Sequence, residues 1–256
     1  MNVDWAAQGS WGVRMDWGPA GAEALAPGSA VVVVVDVLSF TTSVSVAVAR
    51  GTQVLPCPWH DERAQRMAER HDAERAVARS KASARQPWSL SPAALRHAPA
   101  PARLVLPSPN GSAISSAVTT APVAAACLRN ASALAQWIRA QGWGTLDQPV
   151  SVIAAGESWP EQPILRPGIE DWLGAGAVVS ALARHGAGPL SPEATAAQAA
   201  HDAVTDLPDL IRNCASGREL ATMGFAEDVE IAVEIDSSTV VPVLREGAFA
   251  DAANTR

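Results

Sequence analysis

The sequence predicts an α/β protein of three layers, α/β/α, with helices on both faces of a largely parallel or mixed sheet. Three observations carry this. Val31–Val35 is five consecutive valines, a pattern suited to a strand buried on both faces and not to an edge strand with one wet face. That run leads directly into a polar turn and a helix. The same order of apolar run, polar turn and helix returns at 103–118, 123–141 and from 150 onward, as expected where strands and helices alternate. At 256 residues, 48% hydrophobic and 18% charged, the chain has an ordinary globular composition and length enough for a well-buried core. One domain over 1–256 is expected, with 150–170 the segment at which two subdomains would part.

Residues 1–30 carry Trp5, Trp11 and Trp17 among glycines; a short strand is expected at 12–16, with the tryptophans packing this segment onto the sheet or, as the alternative, forming an oligomer contact. After the valines come Asp36 and then Ser39, Thr41, Thr42 and Ser43, hydroxyl residues that favour the start of a helix running towards Gly51. Residues 53–57 read as a strand, 60–71 as a helix with a solvated charged face, and 76–79 as a third short strand. The stretch 80–102 is rich in Pro, Ser and Ala and is expected as a loop that either covers a site or is mobile.

A strand at 103–106 runs into Ser108-Pro109-Asn110-Gly111-Ser112. Asn-Gly marks a tight turn there, and Ser112 can start a helix over 113–118. The strand at 123–127 is followed by Asn130-Ala131 and a helix to 141, and the strand at 150–154 ends at Gly156-Glu157. Glu170 and Asp171 open a helix whose Gly174, Ala175 and Gly176 permit close approach of another backbone. Residues 192–214 read as helical with a break near Pro208, and the remainder alternates short helices and strands.

The net charge of −7 argues against nucleic acid as a partner, since phosphate-backbone binding needs clustered Lys and Arg. Cys57, Cys127 and Cys214 are scattered, which fits neither a disulfide framework nor a zinc site. The first residues show no basic start followed by a long apolar core, and Asp36 and five Ser or Thr residues interrupt 31–48, so no membrane span is expected. The expectations are a cytoplasmic homo-oligomer and a small anionic substrate whose charge is met locally.

In a strand–turn–helix unit the carboxyl end of the strand and the amino end of the helix share one crevice. Free N–H groups and the helix dipole favour an anion there by about 0.3–1 kcal/mol. Asp36 in that place reads as a metal ligand or catalytic carboxylate, with simple capping of the next helix an equal alternative. Glu157, Glu161, Glu170 and Asp171 are more acid than capping requires. Such oxygen-rich groups suit Mg²⁺, which takes one or two carboxylates plus waters and phosphate oxygens; capping stands beside that reading too. Arg218, near a helix start, either binds an anion or meets the commoner fate of a surface salt bridge. Neither GxGxxG nor GxxxxGK[ST] follows any strand, so dinucleotide and P-loop binding lose their support.

Taken in order, these motifs resemble the 2-phosphosulfolactate phosphatase (ComB-like) family. Asp36-Val37-Leu38-Ser39-Phe40-Thr41-Thr42 resembles its DVLRATTT segment, Ser108 to Ser112 its TTNGT turn, and Asn130-Ala131 its later Asn-Ala. Ala155-Gly156, Glu170-Asp171 and Gly174 to Ala177 resemble its AG motif, Glu-Asp helix start and AGA. Ser216, Leu220, Gly224, Asp228, Val229, Val241 and Pro242 follow its closing pattern. The resemblance implies a ComB-like fold and a Mg²⁺-dependent phosphatase that releases phosphate from 2-phospho-3-sulfolactate. It implies Mg²⁺ on Asp36 with Glu170 or Asp171, these three also being the catalytic acids. Thr41, Thr42, Asn110, Gly111 and Ser112 would meet phosphate oxygens, with Asn130 and Arg218 as further substrate-binding positions. Two departures stand out: Ser39 replaces the family's arginine, and residues 80–92 replace its Gly-Glu-Arg and glycine-rich loop, where Lys81 or Arg85 would have to compensate. The alternative is a non-catalytic relative that binds a small anion or a protein partner.

Overall fold

In the computed structural model, which describes residues 5–159, 162 and 164–254, the chain alternates strands and helices from its first turn. It begins with β1 (Val13–Trp17), α1 (Gly18–Leu25), β2 (Val31–Val35), α2 (Phe40–Ala49), β3 (Gln53–Cys57), α3 (Glu62–His71) and β4 (Glu74–Arg75). There follow α4 (Pro92–His97), β5 (Arg103–Pro107), α5 (Gly111–Ala117), β6 (Val123–Ala126), α6 (Ala131–Ala140) and β7 (Val150–Ala154). A small hairpin, β8 (Glu157–Ser158) and β9 (Leu165–Arg166), leads to α7 (Ile169–Arg184). The chain continues through α8 (Pro192–Asp202), α9 (Leu207–Asn213), α10 (Ala215–Thr222), α11 (Ala226–Ala232), β10 (Pro242–Arg245) and β11 (Ala248–Asp251).

Among the described residues nine strands form one mixed sheet, in the order β1-β7-β2-β6-β10-β11-β3-β5-β4. β1, β7, β2 and β6 are mutually parallel, as are β3, β5 and β4. The β10–β11 hairpin joins the two blocks by antiparallel pairing on both sides, touching β3 only through Phe249 opposite Val54. The expected α/β/α layering is present. Alternation along the valine run explains it: Val31, Val33 and Val35 face a core shared with α6, α7 and α8, while Val32 and Val34 face one shared with α1, α2 and α5. A strand with helices on both faces has no wet side, which is why it is uniformly apolar.

Helix α2 is buried from Phe40 to Val48. It contacts β6, β10, β11 and β3, the strands on either side of the join, so the sheet coils around it. A helix enclosed on all sides is apolar all round. Gly174 in α7 supplies the close approach expected of it: a Cβ there would lie 2.6 Å from Val37 Cγ2 and 2.9 Å from Val35 Cγ1.

Several local expectations differ in the structure. Residues 18–25, left without structure by the sequence, form α1, because Pro19 in the first turn fixes a helical φ. Trp5 does not pack onto the sheet and is 85% exposed, whereas Trp17 does pack against the core. The strand expected at 76–79 lies earlier, at β4, and 79–81 is a single turn of 3-10 helix. The 80–102 loop contains α4, begun by Ser91 accepting the Ala94 N–H at 3.1 Å. The break expected near Pro208 falls just before it, where Asp206 caps α9. Glu161 lies outside the described residues. No helix among the described residues is long and apolar enough to cross a membrane.

Candidate active site

Asp36 stands one residue beyond β2 and is 5% exposed. Its Oδ1 accepts the Phe40 N–H at 2.9 Å and its Oδ2 accepts the Gly111 N–H at 2.9 Å. One carboxylate therefore caps the first residue of α2 and the first residue of α5, uniting the turn after β2 with the Asn-Gly bend. Asp171, in the first turn of α7, ties that same turn after β2 to the loop after β7: Oδ1 accepts the Val37 N–H at 2.7 Å and Oδ2 the Gly156 N–H at 2.8 Å. Capping and clustering, which the sequence left as alternatives, are both present. The valine-strand tip, the Asn-Gly bend and the acidic helix start meet in one place.

Two further acids complete the group. Glu170 is 2% exposed and its Oε2 accepts from Cys214 Sγ at 3.5 Å. Glu157, in β8, accepts from Asn110 Nδ2 at 2.9 Å. Burial pushes the Asp36 and Asp171 carboxyls up, and Glu170 adds to both shifts. Burial first, then the charges of Asp36 and Glu170, push Glu157 up to about 7, against the lowering effect of Asn110 and Arg166. Burial, then the charge of Glu170, push the Cys214 thiol up to about 11, so it is an inert donor and not a nucleophile. No described residue forms an ion pair with any of these four acids.

A crevice of about 420 Å³ opens beside this group, lined by Leu38, Arg79, Glu157, Arg166, Ser216 and Leu220 among others. Of the four acids, only Glu157 reaches its wall. Arg79 is the cation at the β2–α2 turn: its guanidinium donates to Ser39 Oγ, and its Nε donates to Asp228 Oδ2 at 3.1 Å. Asp228, 1% exposed, also accepts from Ser91 Oγ at 2.5 Å and the Ala93 N–H at 3.1 Å. Lys81 and Arg85 were the expected substitutes for the family arginine, but Arg79 is the residue in contact with Ser39. The sequence missed it because it comes from a turn forty positions away. Arg166 was missed as well; it faces Glu157 across the β8–β9 hairpin.

Several other expected site residues turn inward. The Thr41 hydroxyl donates to the Asp36 carbonyl at 2.7 Å, that of Thr42 to Val37 O at 2.8 Å and that of Ser112 to Leu106 O at 2.8 Å, and all three residues are 0% exposed. These protons brace the turns. The Gly111 N–H is taken by Asp36. Asn130, also 0% exposed, donates to Ala125 O and Val240 O and accepts the Cys127 N–H, tying the end of β6 to the approach to β10. Arg218 is exposed on α10 and does not line the crevice. Asn110 does reach the acid group.

The donor set suits Mg²⁺ by chemistry: hard carboxylate oxygens with no described cation within ion-pair distance. Among the described residues no three acidic, histidine or cysteine side chains converge to hold an ion by themselves. An ion held by two carboxylates and completed by waters and phosphate oxygens needs no such triad.

The model of the 2-phosphosulpholactate phosphatase family matches residues 21–247. A protein of Methanothermobacter thermautotrophicus named 2-phosphosulfolactate phosphatase is 31% identical over 144 residues, 56% of this chain and 57% of that protein. One of Thermotoga petrophila, named probable 2-phosphosulfolactate phosphatase, is 28% identical over 147 residues, 57% of this chain and 58% of that protein. The matched segment thus spans less than two thirds of each curated relative.

Proposed function

The chain belongs to the 2-phosphosulpholactate phosphatase family, and from that premise we propose that it is a Mg²⁺-dependent hydrolase of small phosphorylated acids such as 2-phosphosulfolactate. The observation that carries the reading is the group of three buried acids, Asp36, Glu170 and Asp171, with the half-buried Glu157, none within ion-pair distance of a described cation, beside a crevice whose wall holds Arg79 and Arg166. Phosphoryl transfer asks chiefly for in-line positioning and compensation of charge on the transferred group.

Asp36 and Glu170 are the carboxylates that would hold Mg²⁺. Bound there, the ion supplies the positive charge the acid group lacks and a partner for phosphate oxygens. Asp171 positions the β2 and β7 loops around it. Asn110 uses one amide N–H on Glu157 and has a second to offer a phosphate oxygen. Arg79 brings a guanidinium to the place left by the family's arginine; a donor aimed at developing charge contributes about 2.7–4 kcal/mol, or roughly 10²–10³ in rate. Glu157, with its carboxyl pushed up to about 7, holds a proton near neutrality for the departing alkoxide.

The test is phosphate release by the full chain from a panel of small phosphate esters, with and without Mg²⁺. Metal-dependent release from an acid-bearing ester is expected, and none from any ester overturns the reading. One observation favours a second reading, a non-catalytic anion binder: both oxygens of Asp36 and of Asp171 already serve backbone N–H groups. Phosphate binding without turnover, unaffected by Asp36→Asn, would select it.

A further inference from the structure

Two donors on the crevice wall are unused. Ser216 is 5% exposed, and its Oγ is a buried hydroxyl oxygen without a hydrogen-bond partner among the described residues. A buried hydroxyl left without a partner is costly. Arg166 stacks its guanidinium 5.9 Å from the Trp159 ring centroid, and no described residue accepts a hydrogen bond from it or lies within ion-pair distance. Both line the same crevice as Glu157. An arginine fork and a hydroxyl together suit one carboxylate.

The rest of that wall is short of cations. Arg79 is paired with the buried Asp228 and is the cation assigned to the phosphoryl group, which leaves Arg166 as the one described lining cation for any other acid group of the substrate. The same crevice is lined by Leu38 and Leu220, by Met223, which is 62% exposed, and by the acidic Glu219. A second strong acid on the substrate would find no partner there and would face Glu219. An apolar group would cover Leu220 and Met223.

We propose that Arg166 and Ser216 hold the carboxylate of the substrate and that Leu38, Leu220 and Met223 receive an apolar substituent on its third carbon. The ester hydrolysed is then an apolar 2-phospho acid and not a sulfonated one. This deepens the phosphatase reading of the same crevice and rests on it for the reaction, though not for binding.

The experiment compares kcat/KM of the full chain with Mg²⁺ on 2-phospholactate, 3-phenyl-2-phospholactate and 2-phosphosulfolactate. In parallel, calorimetry measures binding of the matching phosphate-free acids. The phenyl ester is expected to exceed the sulfonated one by at least about 10-fold, in the range that a few apolar groups in a pocket provide. Met223→Asp should collapse the phenyl-to-lactate ratio by about 10-fold, and Ser216→Ala should raise KM for all three esters more than it lowers kcat. Equal or better turnover of the sulfonated ester overturns the inference while leaving a phosphatase. Tighter binding of phenyllactate than sulfolactate without any turnover keeps the subsite and removes the phosphatase. No difference in either binding or turnover overturns the inference.

Discussion

The Asp36 carboxylate accepts the backbone N–H of Gly111 at 2.9 Å, across 75 positions of sequence, while capping Phe40 with its other oxygen. Asp36→Ala strands two buried donors at once. With about 1–3 kcal/mol for each buried group left unsatisfied, urea unfolding should show a stability loss of roughly 2–6 kcal/mol, and phosphatase activity should vanish.

Gly111→Ala tests the same junction from the other side. A Cβ at this position would fall 2.3 Å from Phe40 Cδ1 and 2.8 Å from Asp36 Oδ2. Both neighbours are fixed, Phe40 by its edge contact with Phe249. Overpacking of this kind costs about 1–3 kcal/mol, so the midpoint of unfolding should fall and the dependence of activity on Mg²⁺ should shift to higher concentration.

Arg79 and Ser39 can be exchanged. Ser39→Arg alone sets two guanidinium groups against each other at the β2–α2 turn and should lower activity. Arg79→Ser alone leaves the buried Asp228 with only Ser91 and the Ala93 N–H and should cost roughly 10²–10³ in kcat/KM. In the double variant a cation returns to the turn, from the position at which the resembled family carries it. Partial recovery is the expected result, and a double variant no better than the worse single one would show that the two positions do not share a role.

Glu157 makes stability and activity pH-dependent. Its folded-state carboxyl titrates at about 7 because of burial and of Asp36 and Glu170, opposed by Asn110 and Arg166. An unfolded glutamate titrates near 4.3. Between these values the folded state binds more protons than the unfolded, so stability falls as pH rises from about 4.5 to about 7 and is level above. Glu157→Gln should flatten that slope in denaturation curves. It should also remove the fall in activity above about pH 7 that follows from loss of the proton-donating form.

The layers and three corners of the site are legible in the chain alone. A run of valines between polar turns has no use except as a central strand, and Asp36, the Asn110-Gly111 bend and Glu170-Asp171 sit at strand and helix ends where the local pattern places them at the carboxyl edge. Local pattern also located the glycine of α7 that lets Val35 and Val37 come close. It gave no sign of which hydroxyls would turn inward, because Thr41, Thr42 and Ser112 look the same whether they face a ligand or a carbonyl. Only the tertiary structure decided that the Asp36 carboxylate joins two helices, that Arg79 stands beside Ser39, and that Arg166 and Ser216 share a wall. Each of those arrangements joins segments distant in the chain. No window of sequence contains both partners of such a contact.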